Sequence, residues 1–130
     1  MAFIYFDSLH DKLHVKEWLN GMMIYYWFSH HFFGLHPQLI SFADPLLRSM
    51  PVLLFIAWGT MLLEAIMATG LIFPQRFKLL LLTLGIIFHL SIMLIHGFAS
   101  FFFAMSAALF LYLYPAQKPF SLNIILNEKQ

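Results

Sequence analysis

Two ionisable residues stand alone inside long apolar runs: Glu64 between Pro51 and Phe73, and His89 in the run that follows. A carboxylate at the centre of a membrane helix costs roughly 2.5–3.5 kcal/mol on insertion scales, so it is expected to face other helices and to hold a partner there. At a rise of ~1.5 Å per residue, Glu64 lies about 14 Å from Phe73 and His89 about 18 Å from Phe77, comparable depths in adjacent segments. The pair can therefore meet. One reading is a proton-handling or ligand-orienting couple in which Glu64 raises the basicity of His89. The other is a structural hydrogen bond that ties two helices together.

Other histidines offer weaker patterns. His96 follows His89 by seven residues, about 20° further around a helix, a spacing that suits a haem or metal ladder, or leaves His96 at the outer interface. His10 and His14 can clamp a metal if their segment is helical, and His30, His31 and His36 form a second cluster. Neither carries a matching ligand set, and both also read as solvated interface residues, so no metal site is assigned. Lys12 and Lys16 read as interface lysines whose stems lie along apolar surface.

These residues need helices to hold them. Of 130 residues, 62% are hydrophobic and 10% charged; mean hydropathy is +0.81, which describes an integral membrane chain. The spacing predicts spans over 50–73, opened by Pro51 and closed by Gly70 and Pro74, and over 77–98, ended by Gly97 in a tight Gly-Phe-Ala-Ser turn. A short connection makes these two antiparallel neighbours. A third span, 100–114, is short and stopped by Pro115. The aromatic segment Trp18 to Phe33 suits one interfacial or tilted helix, and Asp44-Pro45 marks a turn or helix start leading into the first span. The fold expected is all-α, a bundle of three to four transmembrane helices with an N-terminal aromatic interfacial helix, over residues 1–115, and a tail over 116–130 that forms a short surface helix or is disordered.

Arg76, Lys78 and Lys118 place the connection between the first two spans and the C-terminus on the cytoplasmic side. The start of the chain lacks the basic, apolar and small-residue order of a signal peptide and is expected to be retained. A formal charge of +1 with scattered basic residues excludes a nucleic-acid partner. Zero cysteines exclude disulfides and thiolate chemistry. A chain this small has little material to enclose a ligand alone, so a second membrane subunit or self-association is expected.

Four stretches, in order, carry a resemblance. They are Lys12-Leu13 followed by Trp18 and Gly21, the run Tyr25 to Phe33, LLEAIMATGLIF around Glu64, and Phe88-His89 followed by Phe98 to Met105. This order resembles the membrane domain of vitamin K-dependent gamma-glutamyl carboxylase and its bacterial relatives, the HTTM family, including the SdpB-like proteins of peptide-toxin maturation. The similarity runs from about Tyr5 to Tyr114.

The resemblance implies a bacterial inner-membrane protein with a quinone or hydroquinone cofactor and a peptide substrate. It makes Lys12 the catalytic base, with Glu64 and His89 as supporting catalytic groups and Trp18, Tyr25, Tyr26 and His30 at the cofactor. A base at Lys12 needs desolvation in an apolar pocket, which neighbouring Asp11 opposes. One extra residue separates Lys-Leu from Trp relative to the carboxylase pattern. The family's helices preceding the Lys-Leu stretch, with a second catalytic histidine, and the luminal substrate domain have no counterpart in this sequence, so a partner chain is expected to supply half the site. The alternative is a non-catalytic membrane subunit, structural, immunity-type or peptide-binding, in which Glu64 and His89 are packing groups.

Overall fold

A computed structural model describes residues 1–114, and the tail expected over 116–130 lies outside them. Seven helices occur among the described residues: α1 Ala2–His14, α2 Lys16–Leu19, α3 Met22–Phe28, α4 Pro37–Leu47, α5 Met50–Ala68, α6 Gln75–His96 and α7 Ala99–Leu113. Two of them, α5 with 19 residues and α6 with 22, are long and apolar enough to cross a membrane. Only 28% and 22% of their most apolar windows are buried inside the chain, unlike the mostly buried core helix of a soluble domain. The outward faces, with Phe55, Ile87 and Leu94 exposed, suit contact with lipid. The 15 residues of α7 reach about 22 Å, shorter than the ~30 Å hydrocarbon core.

Residues 18–33 do not form one helix. The aromatic run is interrupted at Gly21, which adopts a left-handed φ of 81°, while the Asn20 side chain accepts a hydrogen bond from Met22 N–H at 2.9 Å. A Cβ at Gly21 would lie 2.9 Å from the backbone of Leu53 and Leu54. Glycine therefore both turns the chain and lets it seat directly on α5. The first span is also shorter than the pattern implies, because α5 ends at Ala68 and Thr69 Oγ1 turns back to the carbonyls of Ala65 and Ile66. Pro45 lies inside α4 rather than starting a helix, within its last turn. Gly97 ends α6 with φ 76°, and the chain turns directly into α7.

The arrangement of the spans departs from the simple hairpin expectation. Helix α5 packs chiefly against α1, and α6 against α7, while α5 and α6 meet in the apolar cluster next to their connection. Two apolar clusters pin the ends of α5. Near its C-terminus, Met67 joins Tyr5 of α1, Leu81 and Leu82 of α6, and Leu109 and Leu113 of α7. Near its N-terminus, Leu53 and Ala57 join Ile24 of α3 and Leu47 of α4. Gly85 lets Leu109 approach α6 closely, since a Cβ there would stand 2.8 Å from its Cδ1. Between the two clusters the helices part around a cavity.

Candidate functional site

The polar groups at this cavity are delivered by α1. Tyr5, Ser8 and Lys12 are spaced three and four residues apart, so they form one stripe along a helix, and each touches a residue on a spanning helix or its neighbour on the stripe. Lys12 Nζ donates to Glu64 Oε1 at 2.5 Å and to Ser8 Oγ at 2.6 Å. Ser8 Oγ in turn donates to the same carboxylate oxygen at 3.2 Å. The Lys12 and Glu64 side chains are only 15% and 6% exposed, so the cost of placing Glu64 in the bundle is offset by a cation in direct contact. The Trp18 ring lies 5.0 Å from Lys12 Nζ and adds a cation–π contact.

His89 has a different partner. Its Nε2 lies 2.9 Å from the hydroxyl of Tyr5, and both residues are buried. The expected Glu64–His89 couple is thus not formed: α1 packs on α5 and contacts α6, and each spanning residue is engaged by α1 instead. Two buried atoms on these side chains, Glu64 Oε2 and His89 Nδ1, have no hydrogen-bond partner among the described residues. Such atoms are costly unless something meets them.

Asp11, expected to oppose desolvation of Lys12, points away. Its carboxylate is 78% exposed and lies 3.6 Å from His10 Nδ1. The desolvated cation is therefore governed by Glu64, not by its sequence neighbour.

The cavity has a volume of about 910 Å³. That is at the upper end of the roughly 300–1,000 Å³ typical of small-molecule sites. Lys12, Glu64, Tyr5 and His89 line it, with a largely apolar wall that includes Ile56, Leu63, Ile92, Phe101 and Met105. His96 lines it as well, two helical turns beyond His89, and its Nδ1 is 2.5 Å from the carbonyl of Phe33. The rings of Trp27, Phe28 and Phe98 surround that imidazole.

Of the residues assigned to a cofactor, Trp18 lines this cavity. Tyr26 and His30 belong to a second, smaller recess of about 350 Å³, with Met23, Trp27 and Phe33. Tyr25 is exposed and lines neither. The reason is the break at Gly21: α3 turns Ile24 inward, with Phe28 one turn later packed against the same cluster, and Tyr25 and Tyr26 face outward. His10 and His14 do come together, with ring centroids 4.4 Å apart and the rings tilted by 39°, but the His14 Nδ1 is engaged by the carbonyl of His10. No group of three or more metal-ligating side chains converges among the described residues.

Tyr5 and Ser8 are the residues that sequence reasoning missed. Their signal was the stripe they share with Lys12, visible once residues 2–14 are taken as a helix.

No family model matches the chain, and no solved structure matches it. Two curated proteins of Bacillus subtilis (strain 168) are similar. The sporulation-delaying protein SdpB is 37% identical over 120 residues, which is 92% of this chain and 37% of SdpB. The uncharacterized protein YitO is 29% identical over 115 residues, 88% of this chain and 37% of YitO. The chain spans just over a third of the length of the curated relatives it matches. Together with two apolar helices of spanning length, a bacterial SdpB homologue points to a membrane location.

Proposed function

We propose that this chain is a small SdpB-like, HTTM-type membrane subunit that forms, with a partner chain, a quinone- or lipid-accessible site for peptide modification or toxin maturation in the bacterial inner membrane. The observation that carries this reading is the Lys12–Glu64 pair at one side of a large apolar cavity, in a chain similar to SdpB over 92% of its length. The cavity residues fit a quinone-type group. Its apolar wall suits rings and hydrocarbon, and the unpartnered Glu64 Oε2 and His89 Nδ1 suit polar substituents. Lys12, Tyr5, Glu64 and His89 would hold such a group, with Trp18 closing over Lys12. When bound in reduced form it supplies an acidic hydroxyl and two reducing electrons.

The protein's own part is to hold and move a proton. Passing it from Lys12 Nζ to Glu64 Oε1 converts a charged pair into a neutral amine and acid, which lowers the desolvation cost of the pair. The free amine can then accept a proton from a ligand hydroxyl; the new ammonium is balanced by the ligand oxyanion, and Glu64 keeps the proton it received from Lys12. Ser8 keeps Nζ and Oε1 aligned through this exchange, and Tyr5 fixes the orientation of the His89 ring. With the Arg76 and Lys78 connection on the cytoplasmic side, as the positive-inside bias favours, the His96 end of the cavity would lie towards the outer face.

In a host that expresses the full chain with its partner and peptide, Lys12→Ala is expected to abolish the mature peptide seen by mass spectrometry at an unchanged level of the protein in the membrane. Normal maturation by that variant would overturn the assignment. Purification in mild detergent, with mass spectrometry of attached chains and small molecules, tests the partner and the ligand.

A second reading has its own support: Glu64 Oε1 and His89 Nε2 are already satisfied within the chain, as a purely structural or peptide-binding subunit requires. Under that reading Lys12→Arg preserves function, while Glu64→Gln and His89→Ala dissociate the complex.

A further inference from the structure

Most of the cavity wall is apolar; Lys12, Glu64, Tyr5 and His89 pair along its α1 side, and Thr60, Ser91 and His96 are the polar residues elsewhere in its lining. A ligand that uses both the apolar wall and the paired groups needs a polar head and a hydrocarbon body. Where that body goes is marked by two small residues.

On α5, Gly59 lines the cavity and is exposed, and no heavy atom lies within 4 Å of where its Cβ would stand. It sits one turn from Phe55 and from Leu62, which are 81% and 63% exposed and face outward, and one turn from Ile56 and Leu63, which line the cavity. Gly59 thus lies on the seam between the lipid-facing and cavity-facing sides of its helix. Ser91 holds the same position on α6. It lines the cavity and is exposed, one turn from the outward Ile87 and Leu94 and next to the cavity residue Ile92. Its hydroxyl is folded back onto its own helix at the Phe88 carbonyl, 2.7 Å away, so it presents little bulk and no free donor at the rim. The two helices that carry these rims meet where Met67 packs with Leu81 and Leu82, and neither has the other as its main packing partner.

We infer that the gap rimmed by Gly59 and Ser91 is a lateral portal, through which the hydrocarbon tail of a polar-headed amphiphile passes from the cavity into the bilayer. The head lies against Lys12, Glu64 and His89; the tail leaves sideways, and the ligand enters from lipid rather than from water. This rests on the quinone reading above for the identity of the head. Portal geometry and head identity separate in the test.

Binding is read from quenching of the fluorescence of Trp18 and Trp27, both at the cavity wall, in the full chain purified in mild detergent together with its partner chain. The probes are menadione, which has no tail, menaquinone bearing an isoprenoid tail, and a long-chain diacylglycerol scored by competition. With no cysteine in the chain, menadione has no thiol to alkylate there. Gly59→Leu and Ser91→Leu fill the rim while retaining good helix formers, and Gly59→Ala controls for the loss of glycine. The expected result is that both leucine variants bind menadione as the parent chain does but bind menaquinone about tenfold or more weakly, with Gly59→Ala unchanged. Equal binding of both quinones in the leucine variants, or equal loss of both, overturns the portal. If diacylglycerol binds with the same leucine sensitivity and neither quinone binds, the portal stands and the quinone reading falls. If none of the three binds the parent chain, both are overturned.

Discussion

The two contacts that α1 makes with the spanning helices differ in kind. At Lys12 and Glu64 the contact is ionic, with a hydroxyl from Ser8 bridging cation and carboxylate. At Tyr5 and His89, about 10 Å further along α1, it is a neutral hydrogen bond between two buried rings. The difference separates two jobs. A charge pair shielded from water stores a proton that can be moved between its members, whereas a phenol–imidazole contact fixes a ring and a helix position. The charged contact is also the more hazardous, because losing either member leaves the other as an uncompensated buried charge.

The largest expected effect follows from that hazard. Glu64→Leu leaves the Lys12 ammonium without its counter-charge in a site where the lysine side chain is 15% exposed. Breaking a buried pair in this way costs about 3–5 kcal/mol, and thermal unfolding of the purified protein in detergent should show it. The double variant Lys12→Met with Glu64→Leu is expected to recover most of that stability, because removing both charges removes the desolvation cost along with the attraction. A double variant as unstable as the single one would mean that packing around α5, not charge, sets the effect. Activity separates the two jobs again, since the stable double variant should still yield no mature peptide.

Tyr5→Phe is the matching test of the neutral contact. It keeps the ring in its cluster with Met67 and Leu109 and removes only the hydroxyl that meets His89 Nε2. Leaving one buried neutral group unpaired costs about 1–3 kcal/mol, measured by the same unfolding assay. A loss as large as that of Glu64→Leu would erase the distinction between the contacts.

How far these contacts could be read from the sequence differs between their two sides. Glu64 and His89 stand out because they are single polar residues in apolar runs, and hydropathy finds the helices that carry them. Lys12 is a plain interface lysine by its local pattern and gains a role only through the family resemblance. Tyr5 and Ser8 are harder still. Their partners lie 84 and 56 residues away, and the stripe they form is obscured by exposed Phe3, Phe6, Asp7 and Asp11 on the other faces of α1. Hydropathy also marks α5 and α6 as long and apolar enough to cross a membrane, but does not say which helix each one packs against. That choice is made by side-chain fit, such as Leu109 over Gly85, and it is what moves His89 away from Glu64 and onto Tyr5. The break at Gly21 did leave a signal, since Asn20-Gly21 is a turn dipeptide within the aromatic segment; what the sequence does not show is the close approach to Leu53 that requires glycine there.

Ser8→Ala probes the bridge within the charged contact and should have the smallest effect on stability. Ser8 Oγ accepts from Lys12 Nζ and donates to Glu64 Oε1, but the ammonium and carboxylate also meet directly at 2.5 Å. Removing the hydroxyl therefore leaves no charge unpaired. The expected loss is about 0.5–1.5 kcal/mol, below the usual worth of a hydrogen bond to a charged group, because ammonium and carboxylate remain each other's partners. Its effect on turnover should be larger in proportion if alignment of Nζ with Oε1 governs proton transfer, because the pair keeps its attraction but loses a group that orients it. Comparing Ser8→Ala with Tyr5→Phe then sharpens the contrast. The charged contact should respond to loss of its hydroxyl chiefly in peptide maturation, and the neutral contact chiefly in unfolding temperature. Equal responses in both assays would mean that α1 acts as a single structural strut and that the proton-handling role does not belong to Lys12.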